Sequence, residues 1–239
     1  MNVLVACEES QRVCMAFRER GHNAFSCDIQ EPSGGHPEWH VHGDCLKILQ
    51  GGQIVTMDGV THDIPKWDLL IAHPPCTYLS FVANRSHSLR CTPLDKINDR
   101  TMKRIEAMQL FMAFVNAPCD HIAIENPRGI MNSAYRAADQ TIDPYMFADS
   151  EHDEENYVTK ATCLWLKGLN PLQHKSDADS SKGVLPLIGD CIERPNNAEI
   201  WGVHPNGKAK CWEDTYTRSG KVRSKTFDKI AQAMAEQWG

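Results

Sequence analysis

The sequence predicts an α/β fold in which a mostly parallel sheet is flanked by helices. Three observations carry that expectation. Short apolar runs rich in β-formers recur at Asn2–Ala6, Asn23–Cys27, Trp67–Ala72 and His121–Ile124. Segments of helical spacing lie between them: Arg12 to Arg20 carries Val13, Ala16 and Phe17 on one face, and Thr101 to Ala117 carries Met102, Ile105, Met108, Met112 and Val115. Strands that alternate with helices pair in parallel, because a parallel neighbour needs a crossover long enough to hold a helix. The third observation is where the runs stop: Asp28 closes one, His73-Pro74-Pro75-Cys76 another, Glu125-Asn126-Pro127 a third. Ligands of such sheets bind beyond the carboxyl ends of the strands, so Asp28, Cys76 and Glu125 are expected on one edge.

Each element has a local reason. Gly21 ends the first helix, and the paired prolines end the third strand, since proline lacks the N–H that a ladder needs. From about Asp139 the texture becomes polar. Asp149-Ser150-Glu151-His152-Asp153-Glu154-Glu155 reads as a solvated loop, and Lys175 to Lys182 as an exposed turn or disordered tip. Thr162-Cys163-Leu164-Trp165-Leu166 between them reads as a further buried strand. Lys229 to Trp238, with Ile230, Ala233, Met234 and Trp238 at helical spacing, reads as a closing helix that packs on the main domain. There is no internal repeat.

Composition narrows the class. A chain of 239 residues holds one large domain, or one with a small lobe. No run has the length of a bilayer span, and the N-terminus lacks a signal pattern, so a cytoplasmic protein is expected. The ten cysteines form no CxxC pairs and are expected to be reduced and mostly buried. A net charge of −6 gives no general attraction to a polyanion. Contact with nucleic acid would need a local patch, and Arg218, Lys221, Arg223 and Lys225 form one candidate.

A thiol and a carboxylate at neighbouring strand ends suggest a nucleophile and its acid partner, Cys76 and Glu125. Plainer readings stand beside that one. A cysteine after a strand is commonly buried and inert; Glu125 also suits the cap of a helix starting at Pro127; Asp28 and Asp44 also suit strand-end turns. His36, His40, His42 and Cys45 raise the question of a metal, but their spacing matches no structural zinc pattern, and a polar loop is the better reading.

In order along the chain, Asp28, Gly43-Asp44-Cys45, Pro75-Cys76 and Glu125-Asn126 resemble motifs of the DNA (cytosine-5) methyltransferases, in particular small phage and prophage members. The resemblance spans most of residues 1–165. It implies a Rossmann-like S-adenosylmethionine-dependent methyltransferase fold, with a catalytic core at 1–167, a short target-recognition-like insertion at 168–216, and a basic segment and returning helix at 217–239. It implies Cys76 as nucleophile and Glu125 as acid. It places S-adenosylmethionine against Ala6, Cys7, Glu8, Ser10, Asp28, Ile29, Asp44, Cys45, Pro74 and Phe227. It places double-stranded DNA with a flipped base against Pro75, Ser80, Arg85, Asn126, Lys160, Arg218 and Arg223, the segment Thr77–Arg90 closing over the base. A monomer without metal is favoured.

The chain departs from that family in three places. The first loop, Ala6-Cys7-Glu8-Glu9-Ser10-Gln11-Arg12, lacks the glycines that let backbone approach the cofactor. Where the family carries Gln-x-Arg-x-Arg, only Lys160 keeps a positive charge, and residues 168–216 are short for a recognition domain. Three rivals follow. Amino-methyltransferases acting on cytosine N4 or adenine N6 share the Pro-Pro turn but follow it with an aromatic residue. RNA C5 methyltransferases also have Pro-Pro-Cys, but their nucleophile lies on the later strand, where this chain has Glu125-Asn126-Pro127. A binding protein could keep the pocket without turnover.

Overall fold

The computed structural model describes residues 1–87, 92–149, 153, 155–156, 160–174 and 225–239. The chain divides into two compact units, Met1–Thr141 with Thr162–Asn170, and Ile142–Ala161 with Pro171–Gly239. In chain order the elements are β1 (Asn2–Ala6), α1 (Arg12–Glu19), β2 (Asn23–Asp28), β3 (His40–His42), β4 (Gly52–Val55), β5 (Thr61–Ile64), β6 (Leu69–Ala72), α2 (Leu94–Val115), β7 (His121–Pro127), α3 (Met131–Ala134), β8 (Gln140–Ile142), β9 (Thr162–Lys167) and α4 (Asp228–Trp238). Seven strands form one sheet in the order β3-β2-β1-β6-β7-β9-β8, and β4 and β5 form an antiparallel hairpin.

The pairs β3–β2, β2–β1, β1–β6 and β6–β7 are parallel, and β9 runs antiparallel to β7. Strand order reverses between β1 and β6, the switch point of a Rossmann-like doubly wound sheet. Val3 to Ala6 and Leu69 to Ala72 are buried, which is why both strands read as continuous apolar runs rather than alternating ones. The core of this unit is built from Leu4, Phe25, Leu70, Ile122 and Trp165, with Phe111 and Phe114 of α2 fully buried. Trp67, just ahead of β6, is buried and gives its indole N–H to the Ile48 carbonyl at 2.6 Å.

Three expectations are corrected. The segment His36 to Cys45 is not simply a polar loop: His40 to His42 form a short parallel strand, and His40 is fully buried, its Nδ1 2.8 Å from Ser26 Oγ. No helix begins at Pro127. β7 runs on to Pro127 because Glu125, Asn126 and Pro127 pair with Leu164, Cys163 and Thr162 of β9. Finally, α2 starts at Leu94, seven residues before the expected Thr101, directly after extended Pro93, and its buried face is not the expected one. Met102 and Ile105 are exposed at 58% and 43%, so only the C-terminal half of the helix carries core residues. Its polar N-terminal half, carrying Arg100 and Arg104, meets the segment after Cys76, which explains the missing apolar period there.

In the second unit, α4 buries Ile230, Ala231, Ala233, Met234, Ala235 and Trp238. Its start is held by Asn156 Oδ1, which accepts from the Lys229 N–H at 3.3 Å, and by an ion pair from Lys229 Nζ to Asp149. Gln173 and Gln237 exchange two hydrogen bonds at 2.7 and 2.8 Å. Arg218, Lys221 and Arg223, the polar tract 175–182 and most of the expected insertion 168–216 lie outside the described residues, as do residues 88–91 and 150–152.

α1 begins without a conventional cap. Gln11, at its N-cap position, is in the left-handed region with φ 61, and the cap is supplied from Glu8. Glu8 Oε1 accepts from the Val13 N–H at 2.6 Å and Oε2 from the Cys14 N–H at 3.2 Å. Those are N–H groups a helix start leaves open, and a carboxylate satisfies them with charge assistance. Burial raises the Glu8 carboxyl above the ordinary glutamate range, partly offset by the nearby His73 and by the two N–H donors. Replacing Glu8 with Ala should cost about 2 kcal/mol in urea unfolding, since two buried N–H groups lose their acceptor. A carboxyl raised by burial contributes most when protonated, and that contribution is lost as pH rises through its folded pKa. Urea titrations of wild type and Glu8→Gln should therefore show the wild type's advantage shrinking as pH rises above roughly 4.3, the unperturbed glutamate value.

Candidate active site

The parallel register Ala72↔Ile124 places the ends of β6 and β7 side by side. The His73 N–H donates to the Ala6 carbonyl at 2.9 Å, so the turn after β6 also abuts the end of β1. Pro74 and Pro75 then end the ladder, and the Pro74 carbonyl accepts from Asn126 Nδ2 at 2.6 Å. Asn126 is buried, so this bond ties the proline turn to β7 in a setting shielded from water. Cys76 follows and is exposed, whereas Cys14, Cys27, Cys45, Cys119 and Cys163 are buried and Cys7 is half-buried. Across from it His73 Nδ1 lies 3.0 Å from Glu125 Oε2, with side-chain exposures of 8% and 19%.

The segment after Cys76 is folded back rather than open. The Cys76 carbonyl accepts from the Leu79 and Ser80 N–H groups at 3.1 and 3.0 Å, and Ser80 pairs with Gly129 in an isolated antiparallel bridge. Gly129 is required there, because a Cβ would stand 2.0 Å from the Leu79 carbonyl oxygen. Arg104 of α2 donates to the Tyr78 carbonyl at 2.9 Å and to Asn84 Oδ1 at 2.8 Å, and the Arg100 guanidinium stands over the Tyr78 ring. Residues 81–87, Arg85 among them, form a 3-10 helix on which Phe81 and Val82 are exposed. Arg128 is exposed beside it, its carbonyl accepting from the Phe81 N–H. The sequence offered no pattern for Arg100, Arg104 or Arg128, because their roles arise from contacts across the fold.

Of the residues expected at the cofactor, Ala6, Cys7, Glu8, Ser10, Asp28, Ile29, Asp44 and Cys45 lie at or just beyond the β1, β2 and β3 ends, whereas Pro74 follows β6 and Phe227 belongs to the second unit. Asp28 is nearly buried, with Oδ1 accepting from the Gln30 N–H at 2.8 Å. Its carboxyl is raised by burial, against the pull of that N–H. Ile29 beside it is 75% exposed. Asp44 caps the short 3-10 helix Cys45–Ile48 through the Leu46 N–H at 2.9 Å. Both acids thus hold strand-end turns, the plainer of the two roles read from the sequence. Cys45 Sγ accepts from the Cys7 N–H at 3.3 Å and lies 4.0 Å from Cys7 Sγ. The Cys45 thiol is also 3.2 Å from the Cys27 carbonyl, to which it donates, and the neighbouring Cys27 and Cys7 sulfurs pull Cys45 below an ordinary thiol while being pushed up themselves.

The glycine-poor first loop is closed by its own side chains. Cys7 and Gln11 take left-handed φ of 58 and 61 without glycine, and the buried Gln11 amide donates to Ser26 Oγ and to the His36 carbonyl at 3.2 and 2.8 Å. Gly34 fits against it only because a Cβ would stand 2.6 Å from Gln11 Cβ. Ser10 is buried and Ala6 is fully buried, so these two meet the edge through their backbone. Of the remaining expected residues, Lys160 lies in the second unit, its N–H on Asp143 Oδ1 at 2.7 Å and its Nζ 5.3 Å from the Phe227 ring centroid. His36 is paired with Glu38 and stacked on Trp39, and His42 Nε2 meets the Ile29 carbonyl.

No protein-family model and no curated protein sequence matches the chain. One solved structure with a similar fold is described as a DNA modification methyltransferase encoded within a prophage of E. coli. It aligns at a TM-score of 0.35 and 14% identity, over 70% of this chain and 46% of that one, so this chain spans less than half of it. At that level of likeness no activity is carried across.

Cys76 should be the first of the described cysteines to react with iodoacetamide in the native protein, and Cys14, which burial pushes above any ordinary thiol, among the last. Peptide mass mapping over time reads the order directly. Gly129→Ala should alter the Cys76 rate severalfold while leaving Cys14 unchanged, because the clash with the Leu79 carbonyl displaces the segment that follows the thiol.

Proposed function

We propose that the chain is a DNA cytosine C5 methyltransferase that uses Cys76 as nucleophile and Glu125 as acid. The observation that carries this reading is the pairing of an exposed thiol, on a turn pinned by Asn126 to Pro74, with a mostly buried carboxyl on the adjacent strand end. Cytosine C5 is a poor nucleophile. Attack of the Cys76 thiolate on C6, with Glu125 giving a proton to N3, turns the ring into an enamine whose C5 can accept a methyl group. Loss of the C5 proton to solvent base then breaks the Sγ–C6 bond and restores the thiolate and the aromatic ring, and the N3 proton returns to Glu125. A base inside a duplex cannot reach the thiol, so the target is flipped out at a cost of a few kcal/mol. Ser80, Arg85 and the exposed Phe81 and Val82 follow Cys76 directly, on the segment that would meet the opened strand.

S-adenosylmethionine, when bound, supplies the electrophilic methyl group. The residues fit such a cofactor better than a phosphate-bearing one, because Glu8 already occupies the N–H groups at the start of α1 that would otherwise bind a pyrophosphate. Asp28 would accept from ribose hydroxyls, and exposed Ile29 would offer an apolar face to a ring. The Ala6, Cys7 and Glu8 backbone and Ser10, Asp44, Cys45 and Pro74 would line the rest of the edge. Pro75 and Asn126 would shape the base pocket, and Lys160, Arg218 and Arg223 would contact phosphates.

The amino-methyltransferase reading is favoured only by the Pro74-Pro75 turn, and it needs no thiol. Incubation with S-adenosylmethionine and DNA containing 5-fluorocytosine should yield a denaturation-resistant protein–DNA adduct that is lost in Cys76→Ala. Glu125→Gln should slow methylation of ordinary DNA roughly 10²- to 10⁴-fold. N4- or N6-methylated product without an adduct would overturn the C5 assignment, and S-adenosylmethionine binding without transfer to any DNA or RNA would favour a binding protein.

A further inference from the structure

His73 follows β6 directly and faces a carboxyl group on the neighbouring strand. From β7 it is met by Glu125, whose Oε2 lies 3.0 Å from His73 Nδ1. Glu8, in the loop after β1, holds the Val13 and Cys14 N–H groups with its two oxygens, and the nearby His73 favours its ionised form through space. The backbone leaves His73 little freedom: its N–H is bonded to the Ala6 carbonyl, and Pro74 follows. At 8% side-chain exposure its contact with Glu125 is largely screened from water, where a hydrogen bond to a charged group counts for more than at the surface.

We propose that His73 is a positioning residue for Glu125, holding Oε2 by its Nδ1–H so that the carboxylate left when the Oε1 proton passes to the base is stabilised in place. The role rests on the C5 reading above. An ionised carboxylate only accepts, so the shared hydrogen then belongs to His73 Nδ1. As the proton moves from Oε1 to N3, charge grows on Glu125 and the His73 contact strengthens; when N3 returns the proton, it weakens again. No proton crosses between His73 and Glu125 in either direction. The contact therefore favours the reacting state over the resting one, which is what raises turnover rather than substrate affinity.

The test uses the full-length protein with Glu carboxyl carbons labelled by ¹³C, the Glu125 signal being identified by its loss in Glu125→Gln. In His73→Ala the Glu125 titration should move up by about one pH unit, because the ionised form loses its donor. In His73→Asn, whose side-chain N–H lies where His Nδ1–H does, it should stay near the wild-type midpoint. Methylation of cytosine DNA should follow the same pattern: in His73→Ala kcat falls roughly 10- to 100-fold with KM for DNA little changed and the alkaline limb of the pH profile shifted upward, and His73→Asn recovers most of the loss. An unmoved Glu125 titration in His73→Ala, or an asparagine variant as impaired as the alanine one, overturns the role. If the titration moves as expected but the wild type forms no C5-methylated product on any DNA, the chemistry assigned to Glu125 falls, and the role of His73 in it falls too, while the pairing itself stands.

Discussion

The hydrogen bond from Asn126 Nδ2 to the Pro74 carbonyl, 2.6 Å long and buried, is the constraint on which the rest of the site depends. Parallel pairing of β6 with β7 brings two strand ends together, but pairing stops where proline removes the N–H. Beyond that point nothing in the ladder holds the turn. The Asn126 amide takes over, and it does so from the residue next to Glu125. One side chain thus couples the position of the thiol turn to the position of the acid. The His73 contact to Glu125 closes the same loop from the other side, so that turn and strand are joined on both flanks of Pro74.

Around this pair the fold substitutes side chains for backbone flexibility. A glycine-rich first loop would let the helix start lie open to a ligand; here Glu8 fills the α1 terminus, Gln11 bridges to Ser26 and His36, and two non-glycine residues accept left-handed backbone. Such conformations cost of order 1 kcal/mol or more each, and they persist where surrounding contacts hold them. The consequence is a sheet edge at which the N–H groups of the α1 start are already taken by a carboxylate rather than left open to a phosphate.

Much of this was legible in the sequence, because strand ends are announced locally. The apolar runs, the prolines after Ala72 and the acidic residues at Asp28 and Glu125 each sit within a few residues of the break they mark, and all were found with the correct element type. What was missed has the opposite character. The cap at α1 comes from Glu8 across a tight loop, β3 was hidden among histidines of which His40 is buried against Ser26 and the Gln30 carbonyl, and the polar half of α2 is held by contacts to Tyr78 and Asn84. The extension of β7 to Pro127 was likewise invisible, since it depends on pairing with a strand distant in sequence, Glu125 with Leu164 and Pro127 with Thr162 of β9.

By itself the sequence determined the alternation of strands and helices and the edge at which Asp28, Cys76 and Glu125 fall. Hydrophobic period, proline and strand length are properties of neighbouring residues, and they suffice for those conclusions. Only the tertiary structure decided that β9 enters antiparallel beside β7, that Gly129 must pass against Leu79, and that His73 rather than solvent stands next to Glu125. These are matters of register and close approach between segments distant along the chain, and no local pattern encodes which of several compatible partners a buried polar group will meet.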